Sequence, residues 1–316
     1  MFFNSLLLLP YAMVIRLYSI VYPNEIQSVS EGTELYNFFM RLIPSDPLFY
    51  ALCSIFIVFL EAVLINRLVI KNRFSRDITL LPGMFFILMV SLYPGMQGLS
   101  PILLGLFFII LSVINLFQSY KKYISEVYLF NTGMYLGVAS MFYYNLILLG
   151  IPLLLGYLYV RAFKLKELFQ FIAGILVVFY FYGFYIFWNS EQINFRINFH
   201  GFDFRGVGEN ITYLILLILY LSFSILIGFK YRSFTIKKSI QAQNKINILS
   251  WILLFSILFT LFIDLKQNFN SFYLLAFGLS YFISALFLRL KNNLVLEIVN
   301  VVIIFLIIIY QFQFYS

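Results

Sequence analysis

Three ionisable residues interrupt long apolar stretches of this sequence: Arg16, Glu61 and Glu297. A charge in hydrocarbon is costly, so such a residue is a functional candidate by default. Their positions within the runs set what each is expected to do. Arg16 lies two turns from the end of its run and is expected to snorkel its guanidinium to the headgroups. Glu61 falls about one and a half turns before the basic loop that opens at Asn66, within reach of its lysines and arginines. Glu297 sits in the first turn of the last run, near Lys291. On this reading none of the three meets a partner at mid-bilayer, the arrangement typical of a proton-coupled transporter.

A second constellation lies in "INFRINFHGFDFRG", residues 193–206. Ile193, Phe195, Ile197 and Phe199 alternate with Asn194, Arg196 and Asn198, a period of two that fits a strand. His200-Gly201 serves as a two-residue turn, and Phe202 and Phe204 resume the alternation. The resulting register sets Arg196 opposite Arg205. Like charges facing each other weaken a strand pair unless something neutralises them. Asp203 on the same face is one remedy. An anion such as a lipid phosphate seated between the two guanidinium groups is the other.

Other chemistries are excluded by count. The single cysteine, Cys53, permits neither an internal disulfide nor a cysteine metal cage, and the single histidine, His200, cannot build a multi-histidine iron, copper or haem site. No glycine-rich nucleotide loop, catalytic triad or metal-ligand cluster is present in the sequence, so no cofactor and no metal are expected.

The elements that must position these residues follow from composition. The chain is 63% hydrophobic and 11% charged, against roughly 45–50% and about 25% in soluble domains. An all-α polytopic transmembrane helix bundle is the expected fold, one domain over residues 1–316. Apolar runs of ~17–25 residues span a bilayer as helices. Eleven are expected, at 3–22, 48–65, 78–94, 101–117, 128–144, 145–160, 168–188, 211–229, 247–264, 272–288 and 294–312. The least certain division is within 128–160, where Asn145 is weak punctuation.

The loops between these runs sort by charge. Arg67, Lys71, Arg73 and Arg76, then Lys121 and Lys122, then Arg161, Lys164 and Lys166 fall on one side. So do Lys230, Arg232, Lys237, Lys238, Lys245, Arg289 and Lys291. The opposite loops hold only Arg41, Arg196, Arg205 and Lys266, together with most of the acids. Because positive flanks resist translocation, the N-terminus is expected in the cytoplasm and the C-terminus outside. The net charge of +8 therefore reads as topology, not as nucleic-acid binding. Residues 1–22 lack a basic n-region and a small-residue cleavage site and are read as an anchor.

Two outer loops are long, at about 23–47 and 189–210. In the first, "SEGTELYNFFMRLI" opens on Ser30 as N-cap, with Glu31 and Glu34 in the first turn where they favour the helix dipole. Leu35, Phe38, Phe39 and Leu42 form one apolar face, predicting a short interfacial helix. The second loop carries the hairpin.

The stretches "EAVLINRLVIKNRF", "LLPGMFFILMVSLYPGMQGLSPILLGLFFIILSV" and "FNTGMYLGVASMFYYNLILLGIPLLLGYLYVRAFKLKELFQFIAG" resemble a family of uncharacterised polytopic inner-membrane proteins of flavobacteria and their relatives, often mislabelled as carotene monooxygenases. The likeness covers roughly residues 48–190. It implies a multi-pass protein of the bacterial inner membrane. Carotene cleavage by the usual iron enzymes needs four histidine ligands, which a chain with one histidine cannot supply.

A weaker likeness is to the membrane half of GT-C-like glycosyltransferases that use polyprenyl-phosphate sugars. It is carried by the acidic first outer loop, the paired spans around "GVAS" and the basic cytoplasmic turns. It implies a catalytic carboxylate at Glu25, Glu31 or Glu34, with Arg41, Arg196 or Arg205 on the donor phosphate. The family's paired acidic motif and large acceptor domain are missing here.

The functional expectation from sequence is a non-catalytic or accessory inner-membrane subunit in cell-envelope assembly, binding membrane lipids or other inner-membrane proteins. The alternative is the glycosyltransferase acting at the outer face. A transporter of a lipidic or small substrate comes third.

Overall fold

The computed structural model describes residues 5–23, 33–75, 78–120, 122, 125–160, 163–188, 211–236, 238–262, 269–289 and 293–315. The regular structure in these segments is all helical. In order they are α1 (Leu8–Ile15), α2 (Leu17–Val21), α3 (Glu34–Leu42), α4 (Pro47–Lys71), α5 (Leu81–Val90), α6 (Pro101–Gln118), α7 (Glu126–Phe142) and α8 (Gly150–Val160). They continue as α9 (Leu165–Trp188), α10 (Ile211–Phe229), α11 (Tyr231–Thr235), α12 (Ile240–Phe262), α13 (Phe272–Phe287) and α14 (Asn293–Tyr315). Short 3₁₀ turns occupy Pro94–Met96, Tyr144–Leu149 and Phe269–Ser271.

Each expected apolar run coincides with a helix or a broken helix. Among the described residues six are long and apolar enough to cross a membrane: α4, α6, α9, α10, α12, and α13 with the turn that precedes it. Local signals set their starts. Pro47 and Pro101 take first-turn positions, where a missing N–H costs nothing. Asp46 accepts from Leu48 N at 3.1 Å and Ser100 from Leu103 N at 3.1 Å, capping α4 and α6. The division within 128–160 falls at Tyr143, between the end of α7 and the turn that carries Asn145.

Three expected spans are not continuous helices. The first breaks at Arg16, between α1 and α2. The third is only the ten residues of α5, about 15 Å of rise and half a ~30 Å hydrocarbon core. The chain then leaves the α-helix through Ser91–Ser100, with only the 3₁₀ turn at Pro94–Met96 inside it, most of it buried. The sixth begins as a 3₁₀ turn. Irregular backbone at membrane depth is tolerated only where protein covers it, and here α1, α4 and α13 pack against α5.

Helix pairing uses small residues. A Cβ on Gly133 of α7 would lie 2.0 Å from Phe171 O of α9, and one on Gly174 of α9 would lie 2.2 Å from Phe130 O of α7. The two backbones touch where each glycine faces the other helix. Gly133 and Gly137 are four residues apart, the spacing that lets membrane helices approach closely.

The basic loops converge at one end of the bundle. Lys245 Nζ donates to Asn72 Oδ1 at 2.7 Å and lies over the rings of Phe117 and Tyr120. Lys238 donates to Phe74 O, Asn244 to Tyr159 O at 3.0 Å, and Arg289 to Ser233 O at 2.6 Å. The ends of α4, α6, α8, α12 and α13 therefore meet, as the charge pattern requires.

The helix expected in the first long loop is α3, but it starts at Glu34 with Thr33, not Ser30, at its N-cap. Its seated residue is not the one expected. Tyr36 is buried against Leu104 and Phe142, while Phe38 and Leu42 are exposed. The Tyr36 hydroxyl finds Leu99 O at 3.0 Å, and that bond rotates the helix toward the tyrosine. The hairpin at 193–206 lies outside the described residues.

Candidate functional site: a polar node inside the bundle

The break at Arg16 and the end of α5 meet. Arg16 is fully buried. Its Nε donates to Ser91 Oγ at 2.9 Å and its Nη2 to Val90 O at 3.1 Å. Nη1 donates to Ser54 Oγ at 3.1 Å and to Gln97 O at 3.3 Å. The snorkelling expected of Arg16 is thus corrected. The guanidinium turns inward because the C-terminal carbonyls of α5 and the unwound backbone after it offer acceptors that hydrocarbon cannot.

Other elements supply donors to the same segment. Gln97 Nε2 and Gln311 Nε2 both donate to Ser91 O, at 3.3 and 2.7 Å. Ser54 Oγ donates to Gln97 O at 2.7 Å, Tyr220 to Met89 O at 2.8 Å, and Tyr273 to Met96 O. Side chains from α3, α4, α10, α13, α14 and the α1–α2 break therefore bond the carbonyls of Met89–Leu99. The reason is accounting: a non-helical stretch in an apolar bundle loses its own backbone partners and must be satisfied from outside.

The depth of the node follows from α4. Ser54 lies seven residues into that helix, ~10 Å from its start, and Glu61 a further ~10 Å on along the same face. Glu61 is fully buried, and neither carboxylate oxygen has a hydrogen-bond partner among the described residues. The contact expected with the basic loop is not made among the described residues: the carboxylate is enclosed in the bundle instead. Arg16 and Tyr273 are the charged and titratable groups near enough to act on it. Gln97 Oε1 and Gln311 Oε1 are likewise buried without partners. Their amide orientation is fixed, since Ser91 O accepts and only a nitrogen can face it.

The remaining candidates separate. Glu297 is exposed on α14, and Lys291 lies outside the described residues. Arg41 is exposed in the last turn of α3. Arg196 and Arg205, Glu25 and Glu31 lie outside the described residues, and Glu34 opens α3. Sequence reasoning found Arg16 and Glu61 but missed Ser54, Ser91, Gln97, Tyr273 and Gln311. The available signal was uncharged polar residues at the hearts of apolar runs, Gln311 above all.

A second surface is apolar. Only 17% of the most apolar stretch of α9 is buried, and Tyr180, Phe181, Phe187 and Trp188 are exposed along it. Between α9 and the turn before α8, Ile147, Ile175, Phe179 and Ile186 help to line a groove of about 420 Å³. No family model, curated protein or solved structure matches this chain.

Proposed function

We propose that the protein is a multi-pass transporter of a lipidic or small substrate in the bacterial inner membrane, and that the node around Arg16 lies on its pathway. The observation that carries this reading is the fully buried Arg16 bonded to a discontinuous span. Intramembrane charges face bundle interiors and mark substrate or ion pathways, and broken helices at membrane depth build the binding sites of secondary transporters. The proposal includes eleven crossings, an N-terminus in the cytoplasm and a C-terminus outside.

Cys53 is free and half-buried, which makes a direct test simple. In a Cys53→Ala background, Ser54→Cys or Ser91→Cys is treated in sealed membranes with an impermeant thiol reagent from each face. Reaction that switches face with conditions supports the pathway. A folded protein inert from both faces removes it.

A second reading, the accessory subunit of envelope assembly that binds lipids or partner membrane proteins, is favoured by the exposed aromatic face of α9. A photo-crosslinker at Phe184 distinguishes them. Capture of one defined protein partner supports the subunit, and capture of lipid alone removes the protein-partner form of it.

A further inference from the structure

Glu61 is left unused by everything that holds the node together. It is wholly buried, and neither oxygen has a partner among the described residues. It shares a face of α4 with Ser54, which is itself bonded to Arg16. The groups facing it are Arg16 from the α1–α2 break and Tyr273 from α13. The helices α1, α2, α5 and α6 also pack on α4: α5 and α6 carry no titratable side chain, and α1 and α2 carry Tyr11, whose hydroxyl donates to Asn300 Oδ1, and Tyr18, whose ring meets Phe312.

Arg16 makes no hydrogen bond to this carboxylate. Two carbonyls and two hydroxyls already take its N–H groups, and the C-terminal end of α5 adds partial negative charge. Glu61 therefore feels the guanidinium across the interior without being locked to it, in contrast to Glu126, which meets Lys166 at 2.9 Å. A carboxylate with empty lone pairs in an apolar interior is costly, and a neutral carboxyl there much less so. The nearby positive charge pulls the other way. Two opposed influences of this kind suit a group that takes up and releases a proton.

We propose that Glu61 is a proton-binding site inside the bundle, and that its occupancy is coupled through Arg16 to the seating of Ser91–Ser100. The step adds one proton from water to one carboxylate oxygen, and no other bond changes. With Glu61 ionised, its charge balances Arg16 and the segment is held firmly. With Glu61 protonated, the interior carries a net positive charge, and the seat loosens. This deepens the transport reading by naming the coupling ion, and rests on that reading for the coupling role alone.

The test uses the full chain in liposomes and a hydrophobic carbodiimide. The reagent takes the carboxyl proton on nitrogen, bonds the carboxylate oxygen at its central carbon, and rearranges to a stable N-acylurea that peptide mass spectrometry locates. Labelling at Glu61 that falls at least tenfold as pH rises is expected, retained in Glu61→Asp and lost in Glu61→Gln. No label at Glu61 at any pH, or label independent of pH, overturns the site. In the Cys53→Ala, Ser91→Cys background, Glu61→Gln is expected to raise thiol reactivity severalfold and make it independent of pH. An unchanged, still pH-dependent thiol overturns the coupling. Glu61 labelling without any switching of thiol exposure keeps the proton site and removes transport; switching without labelling does the reverse.

Discussion

The guanidinium of Arg16 donates to the carbonyl of Val90 across 3.1 Å, joining the break in the first apolar run to the last residue of α5. The side chain at one break satisfies a carbonyl left free at the end of the other helix. The α1–α2 junction bonds its own backbone locally, Arg16 N to Ala12 O at 3.0 Å and Ser19 Oγ to Arg16 O at 2.7 Å, whereas a truncated α5 alone would strand polar backbone in an apolar interior.

Removing that side chain is expected to cost most. Arg16→Leu strands the carbonyl of Val90, leaves Gln97 O to Ser54 Oγ alone, and should lower stability by about 3–5 kcal/mol, the range for breaking a buried charged network. Arg16→Lys keeps the charge but not the planar fork that reaches several acceptors. It should still lose roughly 2 kcal/mol. Thermal unfolding in detergent checks both, and a lysine variant as stable as the parent would show that the fork is immaterial.

The α7–α9 contact makes a sharper steric prediction. Gly133→Val or Gly174→Val puts a side chain into the opposing main chain, where even a Cβ would meet an oxygen at 2.0 or 2.2 Å. Separation of the two helices is expected, read as loss of a disulfide engineered between α7 and α9. Gly183 and Gly228 have open space around a Cβ, so alanine there should be neutral or stabilise by up to ~1 kcal/mol. Equal behaviour of the two sets would contradict the packing.

The end of α4 offers a stabilising change. Phe74 N donates to Val69 O and Arg73 N to Ile70 O, both at 3.1 Å, while Arg73 has φ of 54°. This is a Schellman cap with arginine where glycine is preferred. Arg73→Gly should raise stability by about 1 kcal/mol. An unchanged or lower melting temperature would show that the arginine side chain contributes more than its backbone strain costs.

Exposed electrostatics should matter little. Lys166 and Glu126 form an ion pair at 2.9 Å with the lysine 73% exposed, so Lys166→Ala should change stability by less than ~1 kcal/mol. Ser125 is different: buried, it donates to Glu167 Oε1 at 2.7 Å. Ser125→Ala should cost more than Lys166→Ala in the same melting assay, and the reverse order would overturn this ranking.

Orientation is tested with a tag. The segment around Lys230–Lys245 touches the ends of α4, α6 and α8, so all these ends must share one face. A protease site inserted after Ser239 should be cut only from the cytoplasmic side. Cleavage from outside would reverse every assignment of sidedness.

Sequence alone determined the helical class and where the long apolar helices fall, because run length acts locally along the chain. Residue type also marked Arg16 and Glu61, since a charge in an apolar run stands out whatever surrounds it. Tertiary structure decided where those charges point. Whether an arginine snorkels or turns inward depends on which acceptors lie across the bundle, and those are main-chain carbonyls 74 and 81 positions away, at and beyond the end of α5. No side-chain pattern announces a free carbonyl. The same reason hid Ser91, Gln97, Tyr273 and Gln311, ordinary residues whose importance comes from the backbone atoms they meet.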